Sequence, residues 1–219
     1  MKAVIFDMDG VIVDNNAYHK KAWQQFCGAF HIALDEGVWE QIYGRNNHDT
    51  LNILFQGKLN EQQINAYAEE KEIMFRNLYG GHIKPVSGLL PFIDSIKKSG
   101  LRIALASSAG RENIDFIIDR LSVRNYFDVI TDPESIRNGK PHPEIYLKTA
   151  ELLNLRPDEC VVFEDSLSGI ESAHRAGMKV IGITTTHSGE EMRNTEFVIP
   201  DFSGILSDPR LHFPVPDNS

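Results

Sequence analysis

The chain has 219 residues, of which 42% are apolar and 24% charged, as in a soluble globular protein with one large domain or a core domain carrying an insertion. A net charge of -9 argues against nucleic acid or an anionic membrane surface as a general partner, because no surplus of cations is available to neutralise phosphates. Two distant cysteines and the lack of an apolar run long enough to cross a bilayer predict a cytoplasmic protein without a disulfide framework, zinc site or membrane anchor.

Short apolar runs bounded by turn residues predict buried strands, and helical patterns separate them. This alternation predicts an α/β fold, in which helices cover both faces of a doubly wound parallel sheet. In chain order the predicted strands are 3–6, 101–106, 129–130, 161–163, 180–183 and 197–199, and the predicted helices between them are 89–98, 113–121, 144–153 and 170–176.

Residues 15–84 interrupt the alternation, since they contain amphipathic helical patterns at 18–30, 50–55 and 61–79 and no convincing strand. We therefore expect a helical cap domain at 15–84, inserted into a core domain made of 1–14 and 85–219. Hinges near Val13 and Asp14 and near Pro85 and Val86 would allow the cap to close over a ligand. The end of the chain, 213–219, is expected to be a loose tail.

Two acidic residues follow the first predicted strand. Asp7 and Asp9 lie two positions apart, so an extended chain would point both side chains to the same side. Like charges this close are costly unless a cation or a functional task offsets their repulsion. With Mg²⁺ bridging carboxylate and phosphate, Asp7 could attack phosphorus and Asp9 could protonate the leaving oxygen. The alternative is an ordinary polar turn that Asp7, Asp9 and Gly10 make after a strand.

Polar residues also mark three later positions at the same predicted edge of the sheet. Ser107 and Ser108 precede a helix, where they could bind phosphate or act as an ordinary N-cap. Lys140 lies in a Gly-Lys-Pro loop, where it could neutralise a phosphate or be solvated. Glu164 and Asp165 form a second acidic pair, which could complete a Mg²⁺ site; the alternative is that Asp165 or Ser166 caps the next helix. Together these residues supply the parts that a phosphoryl-transfer site requires.

The chain resembles the haloacid dehalogenase-like hydrolase superfamily over essentially its whole length. All four motifs of that superfamily are present as a set, which makes the resemblance highly specific. They are Phe6-Asp7-Met8-Asp9-Gly10-Val11, Ser107 after an apolar strand, Lys140 in Gly-Lys-Pro, and Glu164-Asp165-Ser166 with Gly169.

The resemblance implies a Rossmann-like core and a role for each matching residue. Asp7 would be the nucleophile and Asp9 the general acid and base, while Ser107 and Lys140 would hold the phosphate. Asp9 also argues against the dehalogenases and phosphonatases of the superfamily, which lack this second aspartate. The implied Mg²⁺ ligands are Asp7, the main-chain carbonyl of Asp9, Asp165 and, as a further candidate, Glu164.

Within the superfamily the chain is similar to the β-phosphoglucomutase-like subgroup, whose helical cap follows the first strand. Residues 44–51 match the substrate loop of that subgroup. In its mutases an arginine that grips the distal phosphate stands where this chain has Asn47. Because an asparagine cannot form a bidentate phosphate clamp, hydrolysis is favoured over isomerisation. The candidate substrate-binding residues are His19, Arg45, Asn47, Lys71 and Ser108. For His19, Arg45 and Lys71 the alternative is a solvated surface side chain.

The leading hypothesis is a Mg²⁺-dependent phosphatase that hydrolyses a small phosphorylated metabolite, such as a sugar phosphate, through an aspartyl-phosphate. The alternatives are a β-phosphoglucomutase-type phosphosugar mutase, an inorganic pyrophosphatase, and a non-catalytic protein that binds phosphorylated metabolites. We expect a monomer or weak homo-oligomer that binds neither nucleic acid nor membranes.

Overall fold

The computed structural model describes residues 1–42 and 45–210, and within them six parallel strands form one sheet. The strands occupy the predicted positions, and no strand end differs from the prediction by more than one residue, so the predicted α/β fold is confirmed. Their bounds are β1 Ala3–Phe6, β2 Arg102–Ala106, β3 Val129–Thr131, β4 Cys160–Glu164, β5 Lys179–Ile183 and β6 Phe197–Ile199.

The described residues also contain eight α-helices. Two compact units divide the chain: a core unit of Met1–Asp14 and the chain from Ile83 onward, and a cap unit of Asn15–His82. Helices α1 to α4 belong to the cap unit and α5 to α8 to the core unit. Their bounds are α1 Asn16–Ala29, α2 Glu36–Ile42, α3 Asn47–Leu54, α4 Glu61–Tyr79, α5 Leu89–Lys98, α6 Arg111–Arg120, α7 Glu144–Leu153 and α8 Leu167–Arg175.

The strand order β3-β2-β1-β4-β5-β6 places β1 between β2 and β4. Phe6 at the end of β1 is in register with Leu105 of β2 on one side and with Phe163 of β4 on the other. The chain winds outward from β1 to β3 and then returns to the other side of β1, so the winding reverses between β1 and β4. In doubly wound sheets, ligands bind outside the carboxyl ends of the strands at such a reversal.

Alternate side chains of the buried strands pack on opposite faces of the sheet. On one face, Ile5 of β1 and Val162 of β4 join a buried apolar cluster with Ile145 of α7 and Ala173 of α8. This packing fixes α7 and α8 against the sheet directly beside the ends of β1 and β4.

The opposite face of the sheet carries a cluster of aromatic rings. Phe6 stacks on Phe163 with ring centroids 5.3 Å apart, and Phe92 of α5 meets Phe6 edge-on at 6.1 Å. Phe202 stacks on Phe92 with centroids 5.2 Å apart. Because all four rings are fully buried, they hold β1 and β4 rigidly up to the residues that begin the site.

The cap unit has its own apolar core, which includes Trp23 and Phe26 of α1, Leu51 of α3 and Ile64 of α4. Helix α4 begins with a capping box, in which the Asn60 side chain accepts from the backbone of the third residue of the helix. The four cap helices therefore bury a common core that does not depend on the sheet.

Two details of the cap differ from the predicted elements. Helix α2 was not predicted, because its seven residues include Gly37 and show no clear period; the Asp35 side chain accepts from the Val38 N–H near its start. Helix α3 begins at Asn47, three residues before the predicted start, because Asn46 caps it. The predicted substrate loop at 44–51 is therefore helical from Asn47 onward.

The segments that connect the core unit to the cap unit pair with each other. Val13 and Pro85 form an isolated antiparallel bridge, and the Val86 N–H donates to the Ile12 carbonyl at 2.9 Å. No helix within the described residues is long and apolar enough to cross a membrane. Residues 43–44, which include the start of the predicted substrate loop, and the predicted tail at 213–219 lie outside the described residues.

Candidate active site

A lysine joins two acidic residues at the ends of adjacent strands. The Lys140 ammonium donates to Oδ1 of Asp7 at 2.6 Å and to Oε1 of Glu164 at 2.5 Å. It also lies 3.4 Å from the carbonyl oxygen of Ala106, the last residue of β2. Lys140 therefore spans the ends of β2, β1 and β4, and its side chain is only 6% exposed. The alternative of a solvated loop lysine does not describe this residue.

The loop that carries Lys140 is held by the first residue of α7. The Glu144 carboxylate accepts from the backbone N–H groups of Arg137 and Asn138 at 2.9 and 3.0 Å. The backbone carbonyl of His142 accepts from the Ser172 hydroxyl of α8 at 2.8 Å. These contacts fix the loop on both sides of Lys140, so the ammonium is preorganised rather than recruited by a ligand.

Glu164 is fully buried, and both of its carboxylate oxygens accept hydrogen bonds. Oε1 accepts from Lys140 and from the Tyr146 hydroxyl at 2.7 Å. Oε2 accepts from the Asp165 N–H and from the N–H and hydroxyl of Ser166, at 3.0 to 3.1 Å. Gly169 of α8 lies so close that a Cβ there would overlap the Glu164 carboxylate. Glu164 thus holds the Lys140 ammonium in place through Oε1.

Asp165 lies against the turn that follows β1. Gly10 adopts a left-handed backbone with φ +76°, and a Cβ at this position would overlap the Asp165 carboxylate. The Thr185 hydroxyl donates to the Gly10 carbonyl at 2.6 Å, and the Thr186 hydroxyl donates to Oδ2 of Asp165. The loop after β5 therefore positions both the turn and Asp165.

Three carboxylates converge in this cluster: oxygens of Asp7, Glu164 and Asp165 lie within 4.8 Å of one another, and all three residues are buried. Burial is the largest cause that raises the pKa of Asp7 to about 8; Glu164 and Asp9 raise it further, while Lys140 opposes them. Burial, Glu164 and Asp7 together raise the pKa of Asp165 well above its ordinary value. One ammonium therefore does not balance three buried carboxylates.

The lysine and Glu164 remain charged as a pair. Burial alone would lower the pKa of Lys140, but Asp7 and Glu164 raise it well above its ordinary value. Burial likewise opposes ionisation of Glu164, but Lys140 and the Tyr146 hydroxyl keep its pKa lowered. Asp7 and Asp165, whose pKa values are raised, are thus the two carboxyl groups that need a further cation to stay ionised near neutral pH.

An all-oxygen donor set with surplus negative charge fits a hard divalent cation such as Mg²⁺. Asp7 and Asp165 are the better donors, because the hydrogen bonds of Glu164 already occupy both of its oxygens. The Asp9 side chain is not a member of the buried cluster, and only its main-chain carbonyl was expected to bind the metal.

Ser107 and Ser108 lie where β2 ends. Ser107 is buried, and its hydroxyl accepts from the Ala109 N–H at 3.1 Å; Ser108 is exposed. The N-cap residue of α6 is Gly110, which makes no side-chain cap. The alternative that either serine is the N-cap is therefore wrong. By contrast, the alternative that Asp165 or Ser166 caps the next helix is confirmed for Ser166, whose hydroxyl accepts from the Gly169 N–H as the N-cap of α8.

Within the cap unit, three of the candidate residues belong to one polar network. The Lys71 ammonium lies 3.0 Å from Nδ1 of His19 and donates to the Glu72 carboxylate at 2.8 Å, and Asn47 donates its amide to the same Glu72 oxygen at 2.8 Å. Lys71 is 2% exposed and lies 5.0 Å from the ring centroid of Trp23. A solvated surface position does not describe Lys71.

The network is close to electrically balanced. Burial and Lys71 lower the pKa of His19 to about 3, so the imidazole is neutral near neutral pH. Burial opposes ionisation of Glu72, but Lys71 and His19 lower its pKa to about 2. Arg45 lies apart from the network: it is exposed, and its Nε donates to the Gln41 carbonyl at 2.6 Å.

Sequence reasoning missed several residues that support the acidic cluster of the core unit or the polar network of the cap unit. Tyr146 and Glu144 carry no motif signal, because they read as part of the amphipathic pattern and start of α7. Thr186 lies in a loop that follows an apolar strand, and only its position at the same sheet edge could have suggested a role. Glu72 was not recognised, because a lysine and a glutamate next to each other on a helix are usually both solvated.

Known proteins match the chain over most of its length. The family model of the haloacid dehalogenase-like hydrolases matches residues 4–183. The chain is 33% identical to a β-phosphoglucomutase of Bacillus subtilis over 94% of its own length and 92% of that protein. It is 34% identical to a phosphorylated carbohydrates phosphatase of Thermotoga maritima, over 83% of this chain and 84% of that protein.

Solved structures match the fold equally well. A haloacid dehalogenase-family hydrolase of Entamoeba histolytica, from family IA, superposes with a TM-score of 0.86 at 28% identity. The match covers 92% of this chain and 94% of that one. The similarity therefore spans the core and the cap segments of the sequence alike.

Proposed function

Because the chain belongs to the haloacid dehalogenase-like hydrolase family, we propose that it is a Mg²⁺-dependent phosphatase that hydrolyses a small phosphorylated metabolite through an aspartyl-phosphate on Asp7. The observation that carries this proposal is the position of Lys140, whose ammonium bridges Asp7 and Glu164 at the reversal point of the sheet. Phosphoryl transfer needs a fixed positive charge beside the nucleophile, because the nucleophile and the phosphate are both negatively charged.

In the first step, Asp7 attacks phosphorus, the bond from phosphorus to the leaving oxygen breaks, and Asp9 gives that oxygen its proton. In the second step, water attacks the same phosphorus and loses a proton to Asp9, and the bond to Asp7 breaks to release phosphate. Lys140 neutralises charge on the transferring group, and Ser107 offers a hydroxyl beside it. Atoms and protons balance, so the enzyme returns to its starting state.

Asp7 must be ionised to attack, whereas burial and the neighbouring acids raise its pKa. Asp7, Asp165 and the main-chain carbonyl of Asp9 would hold Mg²⁺, with Glu164 behind them as the anchor of Lys140. When bound, Mg²⁺ would supply the positive charge that keeps the carboxylates ionised and cancels their repulsion with the phosphate.

The proposed substrate class is supported by the relatives, which include a phosphatase of phosphorylated carbohydrates and a β-phosphoglucomutase. Hydrolysis is favoured over isomerisation because Asn47, in place of the arginine of mutases, uses its amide on Glu72. Lys71 is likewise paired with Glu72. With neither an arginine at that position nor an unpaired lysine, gripping a second phosphate during reorientation would be difficult.

A phosphate-release screen tests the proposal. The purified chain is assayed on sugar phosphates, nucleotides and pyrophosphate, with Mg²⁺ and then with a chelator. We expect Mg²⁺-dependent release from one or more sugar phosphates, and a loss of at least about 10³-fold in Asp7→Asn.

Asp128→Asn is the matched control, because Asp128 precedes β3 at the opposite end of the sheet, where it accepts from the Ile103 N–H at 2.8 Å. This variant should retain full activity. Tight binding of phosphorylated compounds without any turnover that depends on Asp7 would contradict the proposal and favour a non-catalytic binding protein. Release from pyrophosphate alone would favour a pyrophosphatase.

The second candidate is a phosphosugar mutase, which the 33% identity to a β-phosphoglucomutase over nearly the whole chain favours. In that case a sugar hydroxyl, rather than water, accepts the phosphoryl group from Asp7. Conversion of β-glucose 1-phosphate to the 6-phosphate without matching phosphate release would identify this activity.

A further inference from the structure

Tyr146 connects the catalytic cluster to α7. The residue is fully buried, and its hydroxyl donates to Oε1 of Glu164 at 2.7 Å. The Lys140 ammonium lies 5.0 Å from the centroid of the Tyr146 ring. A single side chain thus contacts the lysine through its ring and the lysine's anionic partner through its hydroxyl.

The hydroxyl of Tyr146 shares its acceptor atom with Lys140. Oε1 of Glu164 receives both the Tyr146 O–H and one N–H of the ammonium, while Oδ1 of Asp7 receives another N–H from the same ammonium at 2.6 Å. Glu164 and Asp7 therefore compete for one lysine. A donor that satisfies part of Oε1 weakens the hold of Glu164 on Lys140 and leaves the ammonium shared with Asp7.

We propose that Tyr146 is a positioning residue for the reaction, whose hydroxyl sets how Lys140 is divided between Glu164 and the nucleophile Asp7. This inference rests on the proposed function, because it gives Lys140 and Asp7 their catalytic roles. Without the hydroxyl, Oε1 has the ammonium as its remaining side-chain donor, and Lys140 moves toward Glu164 and away from Asp7. The nucleophile then loses the cation that aligns it and offsets its charge.

Tyr146→Phe tests the hydroxyl alone, because the ring that faces Lys140 remains. Mutation of a residue that hydrogen-bonds to a reacting group, without touching the substrate itself, typically lowers activity about 10- to 100-fold. We expect Tyr146→Phe to lower kcat about 10-fold and to change KM less than about 2-fold. Because a loss of folded protein would also lower the apparent kcat at unchanged KM, the folded fraction is measured from the thermal unfolding curve, and the fall in kcat must remain after correction for it.

Thr149→Val is the matched control. Thr149 lies one turn further along α7, is fully buried, and donates its hydroxyl to Thr131 at 2.9 Å, away from the acidic cluster. Removing this hydroxyl should lower stability about as much as Tyr146→Phe does while leaving kcat unchanged. Equal effects of the two substitutions on kcat would overturn the proposal.

A double-mutant cycle tests whether Tyr146 acts through Glu164. If it does, Tyr146→Phe combined with Glu164→Gln is no slower than Glu164→Gln alone, because the charged acceptor is already gone. If the two losses multiply, Tyr146 acts independently and the proposal is wrong.

A crystal structure of Tyr146→Phe provides a readout that does not depend on turnover. The expected result is a Lys140 Nζ to Asp7 Oδ1 distance beyond hydrogen-bonding range, compared with 2.6 Å in the unsubstituted chain. An unchanged distance would overturn the inference. If the wild-type protein shows no turnover that depends on Asp7, the proposed function is contradicted. The crystallographic comparison would then still decide whether the Tyr146 hydroxyl positions Lys140.

Discussion

Replacing Lys140 by methionine removes the cation of the acidic cluster and nearly preserves the volume of the side chain. The ammonium contacts Asp7 at 2.6 Å and Glu164 at 2.5 Å, and its side chain is almost wholly buried. Glu164 keeps its hydrogen bonds from Tyr146, Asp165 and Ser166 but loses its ion pair, and Asp7 loses its contact with the ammonium. Because the pKa of Asp7 is already raised to about 8, the main effect should be an uncompensated charge on buried Glu164.

Breaking a buried ion pair by removing one partner costs about 3–5 kcal/mol of unfolding free energy. For a protein of this size, 1 kcal/mol corresponds to a shift of roughly 2–4 °C in Tm, so Lys140→Met should unfold about 6–20 °C below the wild type. Catalysis should be lost as well, because the transferring phosphoryl group and the nucleophile are no longer neutralised.

The measurement is thermal unfolding at neutral pH in the presence of a chelator, so that no cation substitutes for the ammonium. Lys98→Met is the matched control. Lys98 pairs with Asp94 at 2.6 Å, the same distance as Lys140 to Asp7, but both side chains of this surface pair are exposed. Solvent screens such pairs, so the control should hardly change Tm.

Similar Tm values for the two variants would refute the reasoning, because burial would then make no difference to the value of the pair. Addition of Mg²⁺ provides a second check. A divalent cation should restore part of the stability lost in Lys140→Met, since it offsets the same excess of negative charge.

Three further predictions concern close packing, protonation and metal binding. Gly169→Ala should destabilise the protein by about 1–3 kcal/mol and displace Glu164, whereas Gly28→Ala, at a helical site with open space around it, should stabilise by about 0.5–1 kcal/mol; denaturant unfolding measures both. The pKa of His19 is lowered from 6.5 to about 3, so the folded state binds fewer protons than the unfolded state between these values, and stability should fall as pH drops below about 6.5. In His19→Gln this acid-dependent loss should be smaller, by about 1–2 kcal/mol near pH ~5, and an equal loss would contradict the burial of a neutral imidazole. Mg²⁺ at about 100 times its Kd should stabilise the wild type by about 2.7 kcal/mol and raise its Tm, while Asp165→Asn should show no such rise.

The fold could be predicted from the sequence because its strands are short, apolar and bounded by turn residues. Strand β1 was located to the residue, and β4 differs from the prediction by one residue at each end. Helix α8 begins three residues earlier than expected, since Ser166 caps it and its first turn lacks a strong apolar period. Local hydrogen bonds of this kind decide helix ends, and periodicity does not register them.

The core of the site was predictable for a topological reason. The carboxyl ends of parallel strands meet at one edge, so polar residues after β1, β2 and β4 had to lie near one another. Lys140 was expected at the same edge, but this argument did not fix the position of its ammonium, because Lys140 lies in a loop well beyond the end of β3. Tyr146 and Glu72 could not be found from the sequence, because their hydrogen bonds to Glu164 and Asn47 join residues that lie far apart along the chain.

The paired segments at Val13 and Pro85 have a consequence for how this protein family diversifies. The chain leaves the core and re-enters it at neighbouring points, joined by the hydrogen bond from Val86 to Ile12. A long or short insert can therefore be accommodated between these points without altering the path of any strand. In protein engineering, Asn15–His82 can be exchanged as a module while the sheet is kept.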